Sequence, residues 1–241
     1  MSNIGIPDDL FFAFTRPAED GGVNPGRDLL DDPAIVERAC ETGDMRLNLL
    51  ILYALAVGAD ARRVLEIGCD DGTSTLALLK AAFEIDGHVT SIDLVETPVA
   101  TAIITRLGLQ ERWTLLRGNS HDILPDLRRD EREFDLILVD GDHTYAGARA
   151  DVRNAAAMLK WDGILLFHDS NMMNADGGPG CGVVPHLLLR GTNWQGFVLP
   201  FGCDMTMFQR RLAGFGRLDR NLRDQAPEIA ALADMSKWEI P

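Results

Sequence analysis

The sequence predicts an α/β protein with a doubly wound, mostly parallel seven-stranded sheet that ends in a C-terminal antiparallel hairpin. Three observations carry this. From residue 63 onwards short apolar runs alternate with stretches of helical spacing, the rhythm of βαβ units with helices on both sheet faces. The run Phe134-Asp135-Leu136-Ile137-Leu138-Val139-Asp140 is nearly continuous in apolar character, as expected of a central strand covered on both sides. The run Val64-Leu65-Glu66-Ile67 leads through Gly68-Cys69-Asp70-Asp71-Gly72 into a helix opening at Thr73-Ser74-Thr75, a strand, turn and helix that bring backbone close to a ligand.

In chain order, residues 1–32 are rich in Gly, Pro and Asp and read as an irregular arm. Its cluster of Leu10, Phe11, Phe12 and Phe14 docks either on the body or on a second subunit, which leaves a homo-oligomer open. Residues 33–58 form a helical lead-in (Ile35, Val36, Ala39, then Leu47, Leu50, Ile51, Ala54, Leu55), broken at Thr42-Gly43-Asp44 into two helices. Strands are expected at 63–67, 88–93, 112–117, 134–140 and 162–168, with helices at 73–84, 98–107, 121–129 and 145–160 between them. A helix at 183–190 precedes strands at 196–201 and 204–210, which Gly202 would turn into the hairpin. The main domain thus spans 33–210, and 211–241 reads as a turn and a final amphipathic helix.

Composition narrows the function classes. The 241 residues are 46% hydrophobic and 25% charged, ordinary for one globular domain. A net charge of −14 sets the surface against phosphate backbones, so no nucleic-acid partner is expected. Cys40, Cys69, Cys181 and Cys203 contain no C-x-x-C pair, which argues against a zinc knuckle or a disulfide framework. No basic-then-apolar leader and no membrane-length apolar stretch occur, so the expected location is cytoplasmic, with no membrane partner.

Polar residues collect at the predicted strand ends, where ligands of open α/β sheets bind. Glycines at 68 and 72 permit a sharp turn with backbone N–H groups facing a ligand. Asp93 ends the second run, and its carboxylate offers two acceptor oxygens for a pair of ligand hydroxyls; a helix-capping Asp is the alternative. Gly118-Asn119-Ser120-His121-Asp122 follows the third run, with Ser120 also a candidate N-cap. The fourth ends Asp140-Gly141-Asp142-His143-Thr144-Tyr145 and the fifth His168-Asp169-Ser170-Asn171. His143 titrates near neutrality and is the first candidate for a general base, Asp142 the second. His168 reads as support for packing or for Asp169. Arg149 and Arg153, one helical turn apart, read as a solvated face. The glycine-rich segment 171–182 reads either as a lid over the site or as plain loop.

The spacing E-x-G-x-x-x-G over Glu66–Gly72, with Asp93 at the next strand end, resembles the class I methyltransferases that bind S-adenosylmethionine, over roughly residues 45–210. The pattern D-G-D-H-x-Y followed by His168-Asp169 is similar to a subgroup that includes macrolide-sugar O-methyltransferases, with catechol-type enzymes as more distant relatives. The resemblance implies a Rossmann-like fold and S-adenosyl-L-methionine as cofactor. Glu66, Gly68, Asp70, Gly72, Thr73 and Ser74 would surround its amino-acid end, Asp93 its ribose, Ser120 or Asp122 its adenine, and Asp140 would border it. It also implies a divalent metal, Mg²⁺, at Asp140 and Asp169, with Ser170 standing where relatives carry Asn or Asp. The expected reaction is methyl transfer to a hydroxyl of a small molecule, such as a sugar or natural-product scaffold. A non-catalytic cofactor-binding module on the same fold is the alternative. The absence of G-x-G-x-x-G argues against a nicotinamide dehydrogenase.

Overall fold

A computed structural model describes residues 45–173, 180–190, 194–199 and 204–210. The N-terminal arm, the first lead-in helix, the centre of the 171–182 loop, the Gly202 turn and the 211–241 segment lie outside the described residues. The elements run α1 (Met45–Gly58), β1 (Arg63–Ile67), α2 (Thr73–Glu84), β2 (His88–Asp93), α3 (Pro98–Arg106), a 3₁₀ turn (Gln110–Arg112), β3 (Trp113–Arg117), α4 (Ser120–Arg129), β4 (Phe134–Val139), α5 (Tyr145–Met158), β5 (Leu159–Phe167), α6 (Val183–Arg190), β6 (Trp194–Val198) and β7 (Thr206–Arg210).

The seven strands form one sheet in the order β3-β2-β1-β4-β5-β7-β6. Strands β1 to β5 are mutually parallel where they pair, and β7 runs antiparallel to both β5 and β6. Side-chain alternation along each strand divides the core in two. Val64, Leu136, Leu138 and Leu166 pack with Leu52, Leu76, Leu79 and Ile104 of α1, α2 and α3. Their neighbours Leu65, Ile67, Ile137, Val139, Leu165 and Phe167 pack with Leu124, Val152 and Leu188 of α4, α5 and α6. The sheet is therefore covered on both faces, which accounts for the continuous apolar character of β4. The chain winds from β1 out to β3, then returns beside β1 as β4. This reversal opens a crevice at the carboxyl ends of β1 and β4, where the loops to α2 and α5 diverge.

Several boundaries differ from expectation, most of them around β5 and β6. The helix expected to reach 160 stops at Met158, and β5 starts at Leu159, three residues before the expected 162. Leu159 pairs with Phe134 across a register shift, and the Lys160 ammonium ion pairs with Asp135, so the polar start of this run is strand and not helix. The strand expected at 196–201 lies at Trp194–Val198. Trp194 is buried in the second core, while Gln195 interrupts the apolar run that would have marked the start. No helix among the described residues is long and apolar enough to cross a membrane.

Candidate active site at the sheet's switch point

The loop after β1 has a shape that only its glycines allow. Gly68 has φ +87°, and an added Cβ there would overlap the Asp140 carbonyl oxygen and stand 2.7 Å from its carbon. Gly72 (φ +85°) is the N-cap of α2, where a Cβ would press on Ala100 at 2.6 Å. The loop is pinned from β2. Asp93 Oδ2 accepts hydrogen bonds from the backbone N–H of Cys69 (3.0 Å) and Asp70 (2.9 Å), and Oδ1 accepts from Val95 N–H (3.0 Å). A carboxylate has about four lone-pair positions, so three are used by its own chain and one remains for a ligand.

Glu66 takes a different place from the one expected. It is fully buried on the α1–α3 side of the sheet and accepts from Ser74 Oγ (2.7 Å), Thr75 Oγ1 (2.7 Å) and Ser91 Oγ (2.6 Å), so it ties β1 to α2 and β2 and does not line the cleft. Burial raises its carboxyl to about 7, against the pull of the three hydroxyls. A raised acid favours folding fully below its unfolded value of 4.5, and this contribution is lost as pH climbs through 7. The loss is about 3 kcal/mol at about 1.4 kcal/mol per pH unit. Glu66→Gln should therefore flatten the dependence of the unfolding midpoint on pH between 5 and 8. Parallel curves for the two proteins would remove this account.

Strand ends β2 to β5 complete an open cleft of about 970 Å³, with Gly68, Asp70, Thr73 and Ser74 on one wall, Asp93 and Ser120 on the next, and Asp140, Asp142, His143, His168 and Asp169 at the far end. Gly72 and Ser170, like Glu66, are not among its lining residues. The N-cap of α4 is Asn119, whose side chain accepts from His121 N–H at 2.9 Å, and not Ser120. Ser120 instead donates to Asp151 Oδ1 at 2.6 Å. Asp151 is fully buried under this wall, and burial raises its pKa. Sequence reasoning passed over Asp151, although Ala148, Val152 and Ala155 mark its helix face as apolar.

The far end is a tight cluster of charge. His143 Nε2 lies 3.2 Å from Asp169 Oδ2 and 3.6 Å from Asp140 Oδ1. His168 Nδ1 lies 3.2 Å from Asp140 Oδ1 and 3.4 Å from Asp169 Oδ1. Burial alone would raise the Asp140 pKa, but the two imidazoles outweigh it and hold Asp140 below its ordinary value. Asp140 is the leading cause that raises the His143 pKa. His168 is pushed up to about 10, because both carboxylates together overcome the opposing effect of burial. One donor atom each from Asp140, His143 and Asp169 lie within 4.8 Å of one another, a spacing that one cation could bridge. Asp169 has φ +55°, an uncommon conformation for a side-chain-bearing residue. Asp142 is drawn into its own turn: Oδ1 accepts from Thr144 N–H at 2.8 Å, and its carboxylate lies against the backbone of Gly147.

Residues 65–170, from β1 to just past β5, match the family model described as a methyltransferase domain. Over this segment, which is less than half of the 241 residues, the chain is similar to methyltransferase domains. Among curated proteins, the chain is 27% identical over 150 residues to O-methyltransferase hkm8 of Aspergillus hancockii, covering 57% of this chain and 58% of that protein. It is 30% identical over 141 residues to a catechol O-methyltransferase of Mycobacterium tuberculosis, covering 54% and 59% respectively. The match thus spans less than two thirds of either relative. Among solved structures, the O-methyltransferase TomG of Streptomyces achromogenes superposes with a TM-score of 0.57 at 21% identity, over 66% of this chain and 78% of that one, and shows the same fold. The D-G-D-H turn and His168-Asp169 all fall within the matched methyltransferase domain.

Proposed function

We propose that this methyltransferase domain transfers a methyl group from S-adenosyl-L-methionine to a hydroxyl oxygen of a small molecule. The observation that carries the reading is one continuous cleft, with a glycine loop and ribose-type acceptor at one end and the Asp140–His143–Asp169 cluster at the other. TomG, one of the aligned fold neighbours, was crystallised with the cofactor, and the two curated relatives described above are O-methyltransferases. When bound, the cofactor supplies an electrophilic methyl on sulfonium, so the protein's task is placement of the attacking oxygen and removal of its proton.

Within this reading Gly68 and its neighbours present backbone to the amino-acid end of the cofactor. Asp70, Thr73 and Ser74 add polar groups to that wall. The remaining lone pair of Asp93 accepts one ribose hydroxyl, where the sequence suggested two. Ser120, held by Asp151, stands on the adenine side. His143, half exposed and facing two carboxylates that stabilise its charged form, takes the acceptor's proton. Asp142 is the poorer base because its carboxylate already holds the turn. Asp140 and Asp169 together would hold a divalent cation, which would supply Lewis acidity towards the acceptor hydroxyl. Calorimetric titration with S-adenosylhomocysteine should show one saturable site. Absence of binding at millimolar ligand in a folded sample would remove the proposal.

A further inference from the structure

We infer that His168 is the third protein donor to a cation held by Asp140 and Asp169, and that this nitrogen-containing set selects a transition-metal ion such as Mn²⁺ over Mg²⁺. The inference rests on the proposed cation role of the two aspartates and changes both the ligand set and the class of ion. Ser170, the position the sequence suggested, cannot serve. It is 1% exposed, its hydroxyl donates to the Phe167 carbonyl (3.1 Å) and accepts from Thr206 Oγ1 (2.8 Å), and it lies behind the strand end.

His168 has the opposite character. Its side chain is 12% exposed and lines the cleft, yet neither ring nitrogen makes a hydrogen bond among the described residues, although both are inaccessible to solvent. A buried polar atom without a hydrogen bond costs about 1–3 kcal/mol, which the two nearby carboxylates offset in part, by charge alone, so a ligand that engages the ring nitrogen would recover the rest. Its Nδ1 stands 3.2 Å and 3.4 Å from one oxygen of each carboxylate, close enough for ion pairing but not aligned for a hydrogen bond. Donors bound to one ion at about 2.1 Å lie about 3.0 Å apart at an octahedral edge and about 3.4 Å apart at a tetrahedral one. Both His168 separations fall in that interval. Once a cation between Asp140 and Asp169 displaces the ring's proton to solvent, a lone pair on Nδ1 directed at that cation would engage the ring and offset the repulsion between the carboxylates.

His143 is the rival donor, since its Nε2 also faces both carboxylates. Exposure separates the two. His143 is 50% exposed and within reach of an acceptor, whereas His168 is 12% exposed and makes no hydrogen bond among the described residues. The ligand chemistry then sets the ion. Mg²⁺ prefers oxygen donors throughout, while a site with a nitrogen donor favours the transition-metal series that begins at Mn²⁺ and strengthens through Fe²⁺ and Co²⁺.

The test uses the full chain stripped with EDTA and titrated with MnCl₂ and with MgCl₂, read by calorimetry and by loss of the free Mn²⁺ electron paramagnetic resonance signal. S-adenosylhomocysteine binding is measured separately on every sample. The expected result is one Mn²⁺ per chain, bound at least about tenfold more tightly than Mg²⁺. His168→Ala should weaken Mn²⁺ by about 10- to 100-fold, in line with the loss of one ligand or its support. His168→Gln, which keeps volume and offers oxygen, should shift the preference towards Mg²⁺ and guards against a variant that fails to fold. His143→Ala should keep Mn²⁺ affinity within about threefold, since its ring is not in the set. Equal affinity for the two ions, unchanged Mn²⁺ binding in folded His168 variants, or loss of the ion in His143→Ala would each overturn the inference. If S-adenosylhomocysteine fails to bind while the Mn²⁺ preference stands, it is the methyltransferase reading that falls.

Discussion

Gly68→Ala should unfold at markedly lower denaturant than the parent and lose measurable affinity for S-adenosylhomocysteine. The added Cβ would overlap the Asp140 carbonyl oxygen and approach Gly141 Cα to 3.0 Å, so the obstruction is backbone and not a side chain that can rotate away. Nor can the two loops separate easily. Asp140 N–H donates to the Ile67 carbonyl (2.8 Å), Gly68 N–H donates to the Ile92 carbonyl (2.8 Å), and β1 pairs with β4 up to Ile67 and Val139. A φ of +87° adds strain of its own for any residue with a Cβ. Overpacking against fixed backbone belongs to the class of substitutions that cost about 4 kcal/mol or more. Gly108→Ala is the control. That glycine also has positive φ (+69°), but nothing lies within 4 Å of its added Cβ, so only strain of about 1 kcal/mol is expected. Urea unfolding of the three proteins, with calorimetry on the folded samples, separates the two effects. A Gly68→Ala protein as stable as Gly108→Ala, with parental affinity, would contradict the close approach of β1 and β4 described here.

The fold was legible because its signals are local and repeated. Apolar runs bounded by turns located β1 to β4 to within a residue, and the alternation of strand with helix implied the parallel winding. The strand-end residues were legible for the same reason, since topology alone brings Gly68, Asp93, Ser120, Asp140 and Asp169 to one crevice. What the sequence left hidden is the direction of individual side chains once a strand has ended. At Asp169 the chain takes φ +55°, and the next residue is carried back beneath β7, where Ser170 meets Thr206. Nothing in the order His168-Asp169-Ser170 marks that turn, because a left-handed conformation at Asp is imposed by its surroundings. Glu66 was recoverable in principle. It lies between Leu65 and Ile67, which face α4 and α5, so period-two alternation sends its carboxylate to the α2 side, away from the cleft. Polar partners across that face, Ser74, Thr75 and Ser91, became apparent only with the fold assembled.

His143→Ala should lower kcat by about 10²- to 10⁴-fold, the usual range for a general base, while S-adenosylhomocysteine binds as in the parent. The separation of the two effects follows from position. His143 makes its ion-pair contacts with Asp140 and Asp169, on the β4 and β5 side of the cleft, and not with Gly68, Asp70, Thr73, Ser74 or Asp93. Truncation therefore removes a proton acceptor without disturbing the loop that Asp93 pins. Asp142→Asn provides the comparison. The amide oxygen can still accept from Thr144 N–H, so the turn keeps its shape while the carboxylate's basicity is lost. If His143 is the base, this variant should lose less than about tenfold in kcat. A reversed order, with Asp142→Asn severely impaired and His143→Ala active, would assign proton removal to Asp142. The acceptor used in these assays can be any hydroxylated small molecule that a screen returns, because the comparison is between variants on one substrate. The pH dependence gives an independent reading. A base whose pKa is raised by neighbouring carboxylates keeps its proton to higher pH than a free imidazole, so activity of the metal-free enzyme should rise with pH through a point above the ordinary value of 6.5. That limb should vanish in His143→Ala, since no imidazole remains there to lose its proton.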